Sequence, residues 1–103
     1  VTAVAPGSFR TDWAGRSMQR SPRQIADYDE SFDPIRKARE ERSGKQPGDP
    51  VKAADAILTL IASKAPPAHL LLGSDALKLV RDKLEQLQAE IAAWEEVTRS
   101  TDV

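Results

Sequence analysis

The chain has 103 residues, 40% hydrophobic and 30% charged, and its 15 Lys and Arg against 16 Asp and Glu leave a net charge of −1. Such a chain is one domain at most or a piece of one, too apolar for disorder and too evenly charged to favour nucleic acid or a membrane surface as partner. With no cysteine and one histidine, disulfides, thiolate metal sites, a cysteine nucleophile and a His-rich metal site are excluded, and no apolar run approaches the roughly 18 residues of a membrane span.

Val1-Thr2-Ala3-Val4-Ala5 is a short apolar, β-branched run ended by Pro6-Gly7, which predicts a strand running into a turn. Thr11 or Asp12 then caps a short helix through Trp13, Ala14, Gly15 and Met18. Residues 19–48 are polar and punctuated. Ser21-Pro22 and Asp33-Pro34 each place a capping side chain before a proline suited to the first helical position, predicting helices at about 22–29 and 34–43, the second closed by Gly44. A mostly helical excursion over 8–48, between regular elements, reads as a lid.

Residues 49–65 predict the clearest helix. Asp49 caps, Pro50 takes the first position, alanine and aliphatics cover most of the circumference, and Pro66-Pro67 stops it. The apolar run within 68–73, HLLLG, is too short for a helix and fits a strand covered on both faces. Ser74 caps a last helix over 74–99, whose Leu77, Val80, Leu84, Leu87, Ile91 and Trp94 form one stripe, the pattern of a helix laid along a domain surface. A self-pairing coiled coil is the sharper reading, but fewer than three heptads support it.

The order strand, helical lid, helix, strand, helix predicts an α/β fold with a parallel strand pair joined by a right-handed crossover. Two strands do not make a stable sheet, so the pair reads as the edge of a larger one.

Three segments carry a family resemblance: VTAVAPGSFRTDW, GKQPGDPVKAADAIL and PPAHLLLGSDALKLVRDKL. The first resembles the strand-turn segment near the carboxyl end of the short-chain dehydrogenase/reductases, where Pro-Gly is followed by three residues and a threonine. The other two are similar to the closing helix, last strand and tail of that family, in its hydroxysteroid-dehydrogenase-like branch. The resemblance implies the carboxyl-terminal part of a Rossmann-type doubly wound parallel sheet, with the chain opening inside the sixth of seven strands. It implies hydride transfer between NAD or NADP and an alcohol or carbonyl substrate. The family's glycine-rich phosphate turn has no counterpart among the scattered Gly7, Gly15, Gly44, Gly48 and Gly73. Its catalytic Ser and Tyr-x-x-x-Lys have none either, since Tyr28 is followed four residues later by Phe32. No catalytic residue is therefore assigned, and the segment alone is expected to be inactive.

By the family pattern, Pro6, Gly7, Phe9 and Thr11 form part of the nicotinamide site: the Phe9 amide and carbonyl toward the carboxamide, the Thr11 hydroxyl toward carboxamide or pyrophosphate. Gly7 would let the backbone approach a flat ring. Trp13, Met18, Tyr28 and Phe32 either line a substrate pocket or pack the lid onto the body. His69 reads as a surface or edge residue, and Glu40-Glu41 and Glu95-Glu96 as solvated helix charges. The family pattern also implies a homo-oligomer through helix 51–64 and strand 68–73, and the lack of cysteine and of a membrane span or signal-like start predicts a cytoplasmic setting. A non-enzymatic helical module that self-associates through helix 51–64 and the 77–94 stripe is the alternative. The substrate and the choice between NAD and NADP are not encoded in these residues.

Overall fold

The two apolar runs meet. In the computed structural model, which describes residues 1–22 and 25–103, β1 (Ala3–Pro6) lies parallel to β2 (His69–Leu72), pairing Ala3 with His69 and Pro6 with Leu72. Proline takes the last position of β1, where its missing N–H costs least. The pair extends by one bond at each end, from the Ala3 N–H to the Ala68 carbonyl (2.9 Å) and from the Gly7 N–H to the Leu72 carbonyl (2.8 Å). Both strands thus deliver their carboxyl ends to one place.

Between them the chain makes a 3₁₀ turn at Asp12–Ala14, a second at Ala26–Tyr28, and the helices α1 (Asp29–Arg42) and α2 (Pro50–Ala62). Thr11 caps the first turn by accepting from the Trp13 N–H. Of the helix expected over 22–29, residues 23 and 24 lie outside the described residues, and Ala26–Tyr28 forms the 3₁₀ turn. The helix expected to start at Pro34 starts instead at Asp29, with Pro34 inside it. Asp29 and Glu30 put two negative charges in the first turn, where the free amides of a helix start favour them. Arg39 and Arg42 sit at the other end, and Gly44 at φ +78° turns the chain out.

The α2 boundaries follow local chemistry. The Asp49 carboxylate accepts from the Val51 N–H at 2.9 Å, Pro50 fills the first turn, and the helix ends before Pro66-Pro67.

After β2 the chain passes Gly73 at φ +99° into α3 (Ser74–Ala93). Here the structure corrects the sequence reading. Ser74 is helical and is not the cap; Gly73 holds that position with no side-chain cap, because the backbone turns there through a conformation that glycine tolerates. The long helix also breaks at Trp94, whose N–H turns back to the Ile91 carbonyl, and a short α4 (Glu95–Arg99) follows. α3 packs on β2, and that junction holds what core there is, Leu72 and Ala76 being the buried hydrophobic residues among those described. The molecule is a flat assembly of 58 × 47 × 20 Å, and most of the stripe on α3 faces outward.

Candidate functional site

At the carboxyl ends of β1 and β2 an open cleft of about 1070 Å³ forms. One wall is the turn Pro6-Gly7-Ser8-Phe9 with Thr11 and Trp13; the other comes from the end of α1, the loop after it and the start of α2. Pro6, Gly7, Phe9 and Thr11, the residues expected from the family pattern, all line it. Trp13 lines it as well. Met18, Tyr28 and Phe32 do not: Tyr28 and Phe32 pack edge to face on one another, ring centres 6.2 Å apart, where α1 begins. His69 is exposed at the start of β2.

Phe9 is held by a parallel bridge to Gly48. The Gly48 N–H donates to the Ser8 carbonyl (3.0 Å) and the Arg10 N–H donates to the Gly48 carbonyl (2.9 Å). In such a bridge the central residue's own amide faces away from its partner. The Phe9 carbonyl accepts from the Thr11 N–H at 3.0 Å, while the Phe9 N–H makes no hydrogen bond to another described residue. Gly48 is required for this arrangement, since a Cβ there would meet the Phe9 ring at 2.6 Å and the Ser8 carbonyl at 2.7 Å. Arg10 adds a fork, donating from Nε (3.2 Å) and Nη2 (3.1 Å) to the Gln46 carbonyl, so the loop after α1 is tied to the turn at two neighbouring points.

The electrostatics of the cleft are one-sided. Arg39, Arg42 and Lys45 line it, and no acidic side chain does so among the described residues. The field there favours an anion. The first two sit at the end of α1, where the carbonyl dipole also attracts them.

Behind the turn stands a residue that the sequence did not single out. Asp75, in the first turn of α3, accepts a hydrogen bond from the Ser8 N–H at 2.7 Å through Oδ2. That bond, with a second from the Ala76 amide, holds the Asp75 carboxyl below the ordinary aspartate range. The same carboxylate occupies the space that a Cβ on Gly7 would need, and it would stand 2.6 Å from one on Gly73. Gly7 is thereby explained by this carboxylate, while Gly73 is already required by its φ of +99°. For Gly7 the close neighbour in the structure is Asp75. The signal for this contact was a cap-like Ser-Asp pair after a glycine, which reads locally as a helix start and says nothing of a residue 67 positions away. Arg10 and Gly48 were missed for the same reason.

No protein-family model matches the chain. It is 34% identical over 98 residues to the oxidoreductase BOA17 of Botryotinia fuckeliana, covering 95% of this chain and 35% of that protein. To an uncharacterised oxidoreductase of Schizosaccharomyces pombe it is 33% identical, with 100% of this chain and 34% of the relative covered. In structure it is similar to a crystal structure of a short-chain dehydrogenase from Streptomyces avermitilis, with a TM-score of 0.70 and 37% identity over 96% of this chain and 35% of that one. The chain thus spans about a third of the length of the relatives it matches. Its parallel strand pair with flanking helices and its sequence agree with those relatives along nearly its whole length, and this chain is a segment of a short-chain dehydrogenase/reductase.

Proposed function

We propose that the chain is the carboxyl-terminal part of an NAD(P)-dependent oxidoreductase that moves a hydride between nicotinamide and an alcohol or carbonyl substrate. The observation that carries this reading is the Phe9 N–H. It lines a cleft at the carboxyl ends of parallel strands, where ligands of doubly wound sheets sit, and it has no partner among the described residues. Phe9 is half-exposed, so its amide is free to be satisfied by water or a ligand, and a carboxamide oxygen is a fitting acceptor. The Thr11 hydroxyl lies two residues on, and the acid-free wall with Arg39, Arg42 and Lys45 suits the anionic phosphates of a dinucleotide. These residues fit the cofactor. Pro6, Gly7, Phe9 and Thr11 would hold its nicotinamide end, and the cofactor, when bound, supplies the hydride chemistry.

What this chain contributes is orientation and enclosure. Gly48 and Arg10 hold the Phe9 backbone, and Trp13 and the residues after α1 wall the cleft; under this reading they would face the substrate. The proton donor and most of the phosphate site would come from the rest of the protein, so the segment alone is inactive under this reading. The exposed apolar face of α2 supports a homo-oligomer through helix 51–64, with strand 68–73 joining it by the family pattern. A cytoplasmic setting accords with the absence of cysteine, and among the described residues no helix is long and apolar enough to cross a membrane.

The test is direct binding. Full-length protein is titrated with NADH and NADPH, following the nicotinamide fluorescence, and one of the two is expected to bind at micromolar concentration or better. Phe9→Pro, which removes the N–H, should weaken that binding by about 10-fold, the usual worth of a hydrogen bond to a ligand. Absence of binding by either cofactor overturns the proposal.

A further inference from the structure

Asp75 joins two parts of the molecule that the site needs in register. It belongs to the first turn of α3, and its carboxylate reaches the backbone of Ser8 in the middle of the turn that lines the cleft. Like any solvated aspartate it is ionised at neutral pH, and its hydrogen bonds lower its pKa further. No described Lys, Arg or His forms an ion pair with it, and its charge is met by hydrogen bonds from the Ser8 and Ala76 amides and the Ser8 hydroxyl. The carboxylate lies directly against the Gly7 backbone, in the space that glycine leaves vacant. A structural tie alone would not need a full charge there. A serine or asparagine at position 75 offers an acceptor as well, and the tie costs the chain a glycine at position 7 with its conformational freedom.

Resting on the nicotinamide reading above, we propose that Asp75 is a positioning residue that fixes the Pro6–Phe9 turn and places a negative charge beside it that favours the oxidised, cationic nicotinamide over the reduced, neutral ring. The physical basis is a difference in ligand charge. The two forms of the cofactor present the same carboxamide to Phe9, so a hydrogen-bonding contact weighs on both alike. A nearby carboxylate distinguishes them, because the oxidised ring carries a positive charge that the reduced ring lacks. Holding the oxidised form more firmly makes the bound reduced cofactor the better hydride donor, and the chain would thereby bias its site toward carbonyl reduction. Asp75 does not itself line the cleft, so its charge acts across the Gly7–Ser8 backbone, and at the permittivity of a partly solvated surface this is worth roughly 3- to 10-fold in relative affinity.

The experiment measures dissociation constants of both cofactor forms for full-length wild type, Asp75→Asn and Asp75→Ala, by calorimetry or fluorescence, together with melting temperatures. Asp75→Asn keeps an acceptor for Ser8 and removes the charge. It is expected to lower the preference for the oxidised form by roughly 3- to 10-fold while leaving affinity for the reduced form within about 2-fold. Asp75→Ala loses both acceptor and charge, and should weaken both forms and shift the ratio by the same factor as Asp75→Asn. A merely structural residue would change both affinities in proportion and leave the ratio alone, so an unchanged ratio in both variants overturns the inference. If Asp75→Ala fails to fold, Asp75→Asn decides alone. Wild-type protein that binds neither form overturns the nicotinamide reading itself, and the inference with it. Wild-type binding with an unmoved ratio overturns only the role of Asp75.

Discussion

A carboxylate and three glycines set the geometry of the cleft. Asp75 occupies the space beside Gly7 and Gly73, and the Phe9 ring occupies the space beside Gly48. The pH behaviour of the tie follows from its sign. Hydrogen bonds from Ser8 and Ala76 stabilise the charged form, so the Asp75 pKa is lower in the folded protein than in the unfolded chain. Its contribution is therefore fully present above the unfolded value of about 3.9. It is lost as pH falls from there through the folded pKa. In full-length protein, the Ser8 amide resonance should hold one position from neutrality down to the ordinary aspartate range and titrate only below it. A midpoint within or above that range would show that Ser8 does not hold the charged carboxylate. This contact was illegible in the sequence because a residue in the first turn of a helix looks the same whether it caps its own helix or reaches a distant loop. Pro6 and Thr11 were legible because their constraints are local, a ring at a turn and a hydroxyl before a helical turn, whereas the space beside Gly7 is filled by the distant Asp75.

Helix boundaries divide in the same way. For α2 the Asp49-Pro50 pair gave the start correctly, since cap and first-turn proline act within one turn. For α1 the equally persuasive Asp33-Pro34 gave it wrongly. Acidic residues at 29 and 30 start that helix earlier, and it runs through the proline. Pro34 offers no N–H to the Glu30 carbonyl, and its ring crowds that group. The helix tolerates this near its start, where few bonds precede the gap. Replacing Pro34 with alanine should therefore stabilise α1. In full-length protein the expected gain is about 1–3 kcal/mol in local opening free energy, read as slower amide hydrogen exchange across residues 35–38. Faster exchange in Pro34→Ala would mean that the proline ring makes a contact worth more than the missing bond. The exposed ion pairs of these helices, such as Lys78–Asp82 and Arg99–Glu95, add little by comparison, as expected of solvated pairs one turn apart.

At the scale of the whole molecule, surface area is the decisive quantity. A globular protein of 11.3 kDa is expected to expose about 5700 Å², whereas this chain exposes 9135 Å². Its radius of gyration is 19.9 Å, against about 13 Å for a compact domain of this length. The excess is apolar in the places that matter. Val51, Leu58 and Ile61 on α2 and Leu79, Leu84 and Ile91 on α3 are each at least half exposed, and the apolar circumference of α2 meets little else in the chain. The sequence pattern anticipated that α2 would need cover on more than one side and that two strands would need a larger sheet. Which surface supplies the cover was beyond its reach, because an amphipathic stripe reads alike whether it packs on its own domain or on another copy. A chain with this much uncovered apolar area cannot offset the conformational entropy of folding by itself. The isolated 103 residues at micromolar concentration are accordingly expected to sediment as an associated species or to lack a cooperative urea transition. The same residues within full-length protein should unfold with it in a single transition. A monomer of 11.3 kDa that melts cooperatively, with a urea slope of about 1 kcal/mol/M, would show that the segment is a folding unit in its own right. The faces of α2 and α3 would then be free for a partner other than the rest of the full-length protein.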